Sequence, residues 1–80
     1  EADHERLSTV TIPPGGRKVG RTLGSVALEA MGVRVVSLRL AGGQNALFDD
    51  HTVLDGGDTL VLSGKAPALA LAEEKLLGGG

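Results

Sequence analysis

The sequence contains no cysteine, tryptophan or tyrosine, and Phe48 is its only aromatic residue. The absence of cysteine excludes a disulfide framework and a cysteine-ligated zinc site. A single aromatic side chain gives nucleic-acid bases no platform on which to stack, and a formal net charge of -2 does not favour phosphate backbones. We therefore expect an aliphatic core and no nucleic-acid partner.

Long apolar runs and catalytic motifs are also missing. No segment approaches the ~20 consecutive apolar residues that cross a bilayer, and the acidic first residues do not resemble a signal peptide. Both histidines, His4 and His51, fall in predicted loop or terminal segments, and no serine stands in a Gly-x-Ser-x-Gly motif. We expect a soluble piece of protein that is not an enzyme, with no catalytic residue and no metal site.

The length of 80 residues corresponds to one small domain. We place a polar linker or disordered end over residues 1–6, the folded domain over residues 7–77 and a glycine tail over residues 78–80. A domain of this size buries only about 60% of the surface of its unfolded chain. Because burial against a second copy would add to this area, we predict a homodimer.

The most informative stretch covers residues 52–64, in which a glycine turn precedes an alternating strand. Gly56 and Gly57 are predicted to supply the positive φ angles of a tight turn, and the Asp58 carboxylate to accept hydrogen bonds from turn amides. The alternation over residues 59–63 places two leucines on the core side. We therefore interpret Gly56, Gly57 and Asp58 as a structural turn.

Periodicity predicts the other elements. Alternating or β-branched segments indicate strands, and apolar residues three and four positions apart indicate helices. We predict strands over residues 7–12, 33–40, 45–48 and 59–63, and helices over residues 22–31 and 67–77. Gly24 weakens the first helix, so we expect a break between residues 24 and 27. The order β-α-β-β-β-α predicts a small α+β domain in which a mixed or antiparallel sheet packs with two helices.

Each element is predicted to turn one apolar side toward the core. These sides comprise Leu23, Val26, Ala27 and Ala30 on the first helix, Val36, Leu38 and Leu40 on the second strand, and Leu69, Ala72 and Leu76 on the last helix, widened by Ala70 or Leu77. The opposite side of the second strand passes from apolar residues to Arg39. This change in polarity is typical of a surface that meets a partner or a ligand.

Two segments resemble ligand sites. Residues 15–22 nearly match the phosphate-binding pattern G-x-x-x-x-G-K-[ST], with Arg21 in place of the lysine. Two prolines precede them and a short helix follows, so we interpret them as a connecting loop. Asp49, Asp50 and His51 are three adjacent side chains of metal-ligand type. Calcium loops space their ligands at alternate residues, so we favour a solvated acidic loop.

An ordered set of short motifs resembles the TrkA-C family over roughly residues 7–77. The matching residues are Gly20-Arg21-Thr22-Leu23, Gly32-Val33, Arg39, Thr52-x-Leu54, Gly57-Asp58-x-Leu60 and Gly64. The last apolar segment looks most like the tails of Kef-type cation:proton antiporters. The resemblance implies a TrkA-C-like fold and assigns Thr22 to a helix N-cap.

The resemblance also implies a function. The chain would be the ligand-sensing, dimerising regulatory domain of a potassium channel or transporter, or of a cation:proton antiporter, and would gate ion transport. Its partner would be a transmembrane transporter domain of the same or a partner chain, at the cytoplasmic face of the inner membrane of a bacterium. The alternatives are a purely structural dimerisation module that binds no small molecule, and a free-standing sensor.

In some members of the family the cleft between protomers holds a cyclic dinucleotide, so a cyclic dinucleotide or another nucleotide is the ligand class that we expect, and no other cofactor. Arg39 is the predicted anion-binding residue, because a guanidinium binds phosphate through two hydrogen bonds. Asn45 is predicted to add a hydrogen bond, and Leu40 and Leu47 an apolar wall, with the ligand across the two-fold axis. The alternative is that Arg39 forms a surface ion pair with one of the aspartates at positions 49 and 50.

Overall fold

The computed structural model describes residues 4–78, so the predicted linker at residues 1–3 and the tail at residues 79–80 lie outside the described part. The elements follow the predicted order and are β1 (Arg6–Thr11), α1 (Leu23–Val26), a 3₁₀ helix (Leu28–Met31), β2 (Arg34–Arg39), β3 (Asn45–Ala46), β4 (Thr59–Gly64) and α2 (Ala66–Leu76). β1 therefore begins one residue before the predicted start of the domain. Within residues 4–78, none of the helices has the length and apolar composition that spanning a bilayer requires.

The four strands form one sheet in the order β1-β4-β2-β3, and each neighbouring pair is antiparallel. The α+β class is confirmed, and the sheet is antiparallel rather than mixed. α2 packs against β1, β4 and the 3₁₀ helix, so the helices cover one face of the sheet. On the other face, Leu7, Thr9 and Arg39 are exposed. We call this second side the open face.

The core is aliphatic, as the composition predicts. Its strand residues are Val10, Leu38, Leu60 and Leu62, and its α2 residues are Leu69, Ala72 and Leu76, all of them buried. Phe48 is half-buried against this cluster. The helices and the covered face of the sheet thus share one core.

The predicted core side of the second strand is wrong at Val36 and Leu40. The pairing of β2 with β4 shifts between Val35 and Ser37, so Val36 is the additional residue of a β-bulge. Val35 packs against the core, whereas Val36 is 46% exposed. The additional residue reverses the face of the sheet to which the preceding side chains point. A strict two-residue alternation therefore assigns those residues to the wrong face. Leu40 lies beyond the end of β2 and is exposed.

The predicted break in the first helix is confirmed, and it falls at Ala27, which adopts the left-handed conformation with φ 59°. The prediction that Ala27 and Ala30 face the core is wrong, because both are exposed and Leu28 is buried instead. The left-handed residue ends α1 and redirects the chain into the 3₁₀ helix. Gly24 also has a packing role, since a Cβ there would lie 2.9 Å from the Cβ of Asp50.

α2 confirms the predicted stripe of Leu69, Ala72 and Leu76, which are buried. The proposed widening of this stripe is wrong, because Ala70 and Leu77 are both exposed. The side chain of Glu73 approaches the sheet instead and accepts a hydrogen bond from the Ser8 hydroxyl. The apolar residues of α2 therefore lie on two sides of the helix, of which only one is covered.

Candidate functional site

A row of four polar residues crosses one end of the sheet on the open face. Thr11 lies opposite Thr59, Thr59 opposite Arg39, and Arg39 opposite Asn45. The side chains of directly opposed residues point to the same side of a sheet, with Cβ atoms about 5 Å apart. The fold thus brings the predicted pair of Arg39 and Asn45 together and adds Thr11 and Thr59. We call these four residues the Arg39 row.

The two threonines are the part of the site that sequence reasoning missed. The hydroxyl oxygens of Thr11 and Thr59 share a hydrogen bond across 3.1 Å, at an exposed position. A hydroxyl carries one donor and two acceptor sites, so each retains hydrogen-bonding capacity beyond this contact. The sequence does show that Thr11 ends one strand and Thr59 begins another. Only the order of the strands in the sheet, however, places both of them beside Arg39.

The guanidinium group of Arg39 is exposed at the centre of this row. Within residues 4–78 no ion pair joins it to Asp49 or Asp50. The Asp49 carboxylate accepts a hydrogen bond from the His51 amide at 2.8 Å, and the Asp49 amide donates to the Thr52 hydroxyl at 2.8 Å. The acidic loop is thus folded on itself, and the five N–H donors of Arg39 are open to an external acceptor.

Two apolar residues flank the pair of Arg39 and Asn45 in the chain. Leu40 follows Arg39 and closes the turn of the β2–β3 hairpin, where its amide donates to the Gln44 carbonyl at 2.7 Å. Leu47 follows β3 and is 100% exposed. The structure thus places a polar row and exposed leucines at the same end of the sheet.

The turn at residues 55–58 is hydrogen-bonded to this end of the sheet. The Gly57 amide donates to the Ile12 carbonyl at 2.8 Å, and the Ile12 amide donates to the Asp58 carbonyl at 2.7 Å. These bonds continue the pairing of β1 and β4 past the last ladder residues. A Cβ at Gly57 would lie 2.9 Å from the Cβ of Ala41, so the turn abuts the β2–β3 hairpin. The turn thereby fixes where the hairpin leaves the sheet.

The structural roles predicted for this turn are confirmed for two of its three residues. Gly57 has φ 88°, and the buried Asp58 carboxylate, only 4% exposed, accepts from the Asp55 amide at 3.0 Å. The prediction that Gly56 also has positive φ is wrong. Glycine is required there by crowding instead, since a Cβ would lie 2.7 Å from the Cα of Pro14.

A cavity of about 180 Å³ lies apart from the Arg39 row and includes none of its four residues. Leu28 and Phe48 contribute to its apolar wall, and Glu29, Arg34 and Asp49 are among its charged lining residues. The acidic loop that suggested a cation site borders this cavity. In the part of the chain that the structure describes, no three acidic, histidine or cysteine side chains are grouped so as to hold a metal ion.

The segment with a phosphate-loop pattern has a structural role. The Gly20 amide donates to the Leu54 carbonyl, and the Leu54 amide donates back to the Arg21 carbonyl, both at 2.8 Å. Thr22 is the N-cap of α1, as predicted, and its hydroxyl oxygen accepts from the Ser25 amide at 3.3 Å. Since α1 has only four residues, the segment serves to connect β1 with the first helix and to pair with residues 53–54.

In a comparison with known families, residues 7–77 match the TrkA-C domain. The matched residues coincide with the domain predicted from the motifs, and the predicted resemblance is confirmed. A comparison with curated proteins finds no match. The likeness of the last helix to Kef-type antiporter tails stays a prediction.

Proposed function

Because the chain belongs to the TrkA-C domain family, we propose that it is the cytosolic regulatory domain of a potassium channel or transporter, or of a cation:proton antiporter. TrkA-C domains are regulatory domains typical of potassium transport systems. In this proposal the domain senses an anionic, phosphate-bearing ligand at the Arg39 row and transmits binding to a transmembrane transporter domain of the same or a partner chain, at the cytoplasmic face of the membrane.

The observation that carries the proposal is the placement of Arg39 between Thr59 and Asn45 on the open face. A guanidinium binds a phosphate group through two parallel charge-assisted hydrogen bonds. The neighbouring hydroxyl and amide groups add donors and acceptors for a second phosphate, a sugar or a base edge. A cyclic dinucleotide or another nucleotide fits this chemistry, with Leu40 and Leu47 as apolar surface for its base.

Regulation follows if two copies form a homodimer with their hairpins at the two-fold axis. The axis would bring together two copies of Arg39, and the full exposure of Leu47 provides apolar surface to bury. Two like charges at the axis repel, and an anion between them removes the repulsion. A ligand that binds only this arrangement stabilises it, and so shifts the population of dimers toward one geometry.

The same exposure of Leu47 favours a second candidate function, a structural dimerisation module without a ligand. A fully exposed leucine has apolar surface to bury whether or not an anion is present. The two candidates differ in one measurable respect. The sensing domain gives heat on titration with a nucleotide, whereas the structural module dimerises but gives none.

Isothermal titration of the chain with cyclic dinucleotides and adenine nucleotides tests the proposal. We expect Arg39→Ala to weaken the affinity roughly 10- to 100-fold, since hydrogen bonds to charged groups contribute about 1.5–3 kcal/mol. Arg34→Ala is the matched control, because Arg34 is the exposed arginine at the other end of β2. Its affinity should equal that of the wild type. The affinity of Arg39→Lys should lie between those of the wild type and Arg39→Ala, because lysine keeps the charge but loses the paired geometry.

Two results would contradict the sensing function. One is the absence of heat with every nucleotide, and the other is equal affinity of wild type and Arg39→Ala. If the sedimentation mass is that of a dimer in either case, the structural module is the better description. If the chain is also monomeric, neither candidate function describes the isolated domain.

A further inference from the structure

We propose that the cavity beside the 3₁₀ helix binds a small organic cation, an ammonium group carried on an apolar body about the size of a benzene ring. We call it the acidic cavity. It has a volume of about 180 Å³ and is lined by residues of α1, the 3₁₀ helix, β2 and the acidic loop. Because none of the four residues of the Arg39 row lines it, this proposal is independent of the nucleotide site proposed above.

The floor of the acidic cavity is apolar. Leu23, Leu28 and Val33 are buried there, and Val35 and Phe48 are partly buried against the same core. An apolar cavity of about 150 Å³ is large enough to hold benzene. The acidic cavity is therefore of the right size and polarity to receive the apolar body of a small ligand.

The rim of the acidic cavity carries an excess of negative charge. Its charged lining residues are Glu29, Asp49, Asp50 and Arg34, and all four are exposed. Three carboxylates and one guanidinium leave a formal excess of two negative charges. A concave site whose charges are mainly of one sign raises the local concentration of ligands of the opposite sign. The charge of the rim thus selects a cation, whereas the Arg39 row selects an anion.

Most of these charged side chains are not engaged by the domain itself. Among residues 4–78, neither the Glu29 and Asp50 carboxylates nor the Arg34 guanidinium takes part in a hydrogen bond or ion pair with another described residue. The Asp49 carboxylate accepts from the His51 amide at 2.8 Å through one oxygen, which leaves the other oxygen as an acceptor. The carboxylates of the rim therefore retain acceptor capacity for a ligand.

The distribution of the carboxylates favours an organic cation over a metal ion. A calcium ion takes six to eight oxygen ligands around one point. In the described part of the chain, no three acidic, histidine or cysteine side chains are grouped in that way. An ammonium group on an apolar body needs fewer carboxylate contacts, because the cavity floor binds the rest of the ligand. Phe48, the only aromatic residue, belongs to that floor, and the face of an aromatic ring attracts a cation.

Backbone hydrogen bonds hold the acidic loop in place beside the cavity. The Gly24 amide donates to the Asp50 carbonyl at 2.9 Å, and the Leu23 amide donates to the Thr52 carbonyl at 2.7 Å. A Cβ at Gly24 would lie 2.9 Å from the Cβ of Asp50, so α1 and the loop are in close contact. A site that is already formed loses little conformational entropy when a ligand binds.

Titration of the chain with benzylamine, followed through the chemical shifts of the backbone amides, tests the proposal. Benzylamine is a cation at neutral pH, benzyl alcohol has nearly the same shape without the charge, and benzoate is an anion. We expect a dissociation constant of about 1 mM for benzylamine, because the ligand is small and the rim is exposed. Benzyl alcohol should bind at least about 5-fold more weakly, and benzoate more weakly still. The shifts should change at Gly24, Val35 and Phe48, and should not change at Thr11 and Thr59.

Charge variants of the rim should change the affinity in opposite directions. Glu29→Gln and Asp50→Asn should each weaken benzylamine binding roughly 2- to 5-fold, and Arg34→Ala should strengthen it by a similar factor. Glu74→Gln is the matched control for the carboxylates, because Glu74 is exposed on α2 and does not line the cavity. Arg39→Ala is the matched control for Arg34, since Arg39 lies at the other end of the same strand. Both controls should bind benzylamine as the wild type does.

Phe48→Leu tests the contribution of the aromatic ring. Leucine keeps an apolar side chain in the floor but removes the face that attracts a cation, so we expect benzylamine to bind roughly 2- to 5-fold more weakly. Binding of benzyl alcohol should change less. Circular dichroism establishes that each variant is folded, and the rim variants test the proposal without altering the core.

Several outcomes would overturn the proposal. One is the absence of shift changes with benzylamine, or changes confined to amides outside the acidic cavity. Others are equal affinity for benzyl alcohol, or wild-type affinity in Glu29→Gln, Asp50→Asn and Arg34→Ala alike. If calcium chloride produces the same shift changes and displaces benzylamine, the cavity is a metal site and the proposal fails. None of these results bears on nucleotide binding, which depends on Arg39 and is measured separately.

Discussion

Two glycine turns lie side by side at one end of the sheet, and they differ in what surrounds them. Gly57, in the turn at residues 55–58, and Gly43, in the β2–β3 hairpin, have nearly the same backbone conformation, with φ 88° and 91°. A Cβ at Gly57 would lie 2.9 Å from Ala41, whereas a Cβ at Gly43 would have no neighbour within 4 Å. One turn is packed into the domain and the other projects from it.

The polar side chains at the two turns also differ in burial. The carboxylate of Asp58 is buried and bonded to the Asp55 amide. Beside the hairpin, Arg39 and Asn45 are exposed. Groups that are already satisfied stabilise the fold, and groups that are exposed retain capacity for an outside partner. The contrast therefore predicts that changes in the first turn alter stability, and that changes at the hairpin alter binding.

The largest expected effect is that of Gly57→Val. A β-branched residue at positive φ is strained, and its side chain would overlap Ala41, so we expect a loss of about 2–5 kcal/mol in the free energy of unfolding. Urea denaturation measures it. Gly43→Val is the matched control with the same strain and no overlap, for which we expect about 1–3 kcal/mol. Equal losses in the two variants would show that packing does not distinguish the turns.

An intermediate effect is expected for Asp58→Ala. The substitution leaves the half-buried Asp55 amide without its acceptor, which costs roughly 1–3 kcal/mol. Asp58→Asn keeps an acceptor oxygen of similar shape and should lose less. Thermal unfolding at one protein concentration compares the three proteins. A wild-type midpoint for Asp58→Ala would contradict the structural role of this carboxylate.

The smallest effect on stability is expected for Arg39→Ala. Arg39 is exposed and has no ion pair with the acidic loop within the described residues, so the free energy of unfolding should change by no more than about 0.5 kcal/mol. The same urea titration measures it beside the Gly57 and Asp58 variants. A loss as large as that of Asp58→Ala would mean that the Arg39 row stabilises the fold, and the division between the two turns would fail.

Features that depend on neighbouring residues were predicted well. The positive φ of Gly57, the acceptor role of Asp58 and the capping role of Thr22 each involve partners within three residues. The pair of Arg39 and Asn45 also belongs to this class, because a short hairpin sets its own register. For such features the chain near the residue decides the geometry, and the motifs are sufficient.

Features that depend on packing were predicted incompletely. The spacing in α2 identified Leu69, Ala72 and Leu76, but it also admitted Ala70 and Leu77, which are exposed. The width of a buried stripe is set by what covers the helix, and periodicity does not contain that information.

The sequence by itself determined the element order, the aliphatic core, the turn at residues 55–58 and the family, because these follow from local conformational preference, composition and short motifs. Only the tertiary structure decided the bulge at Val36, the crowding that requires glycine at position 56, and the meeting of Thr11 and Thr59 with Arg39. Each of these depends on the strand order β1-β4-β2-β3, which joins segments far apart in the chain. The register of such segments is set when the whole core closes, since only then do backbone pairing and side-chain packing have to be satisfied together.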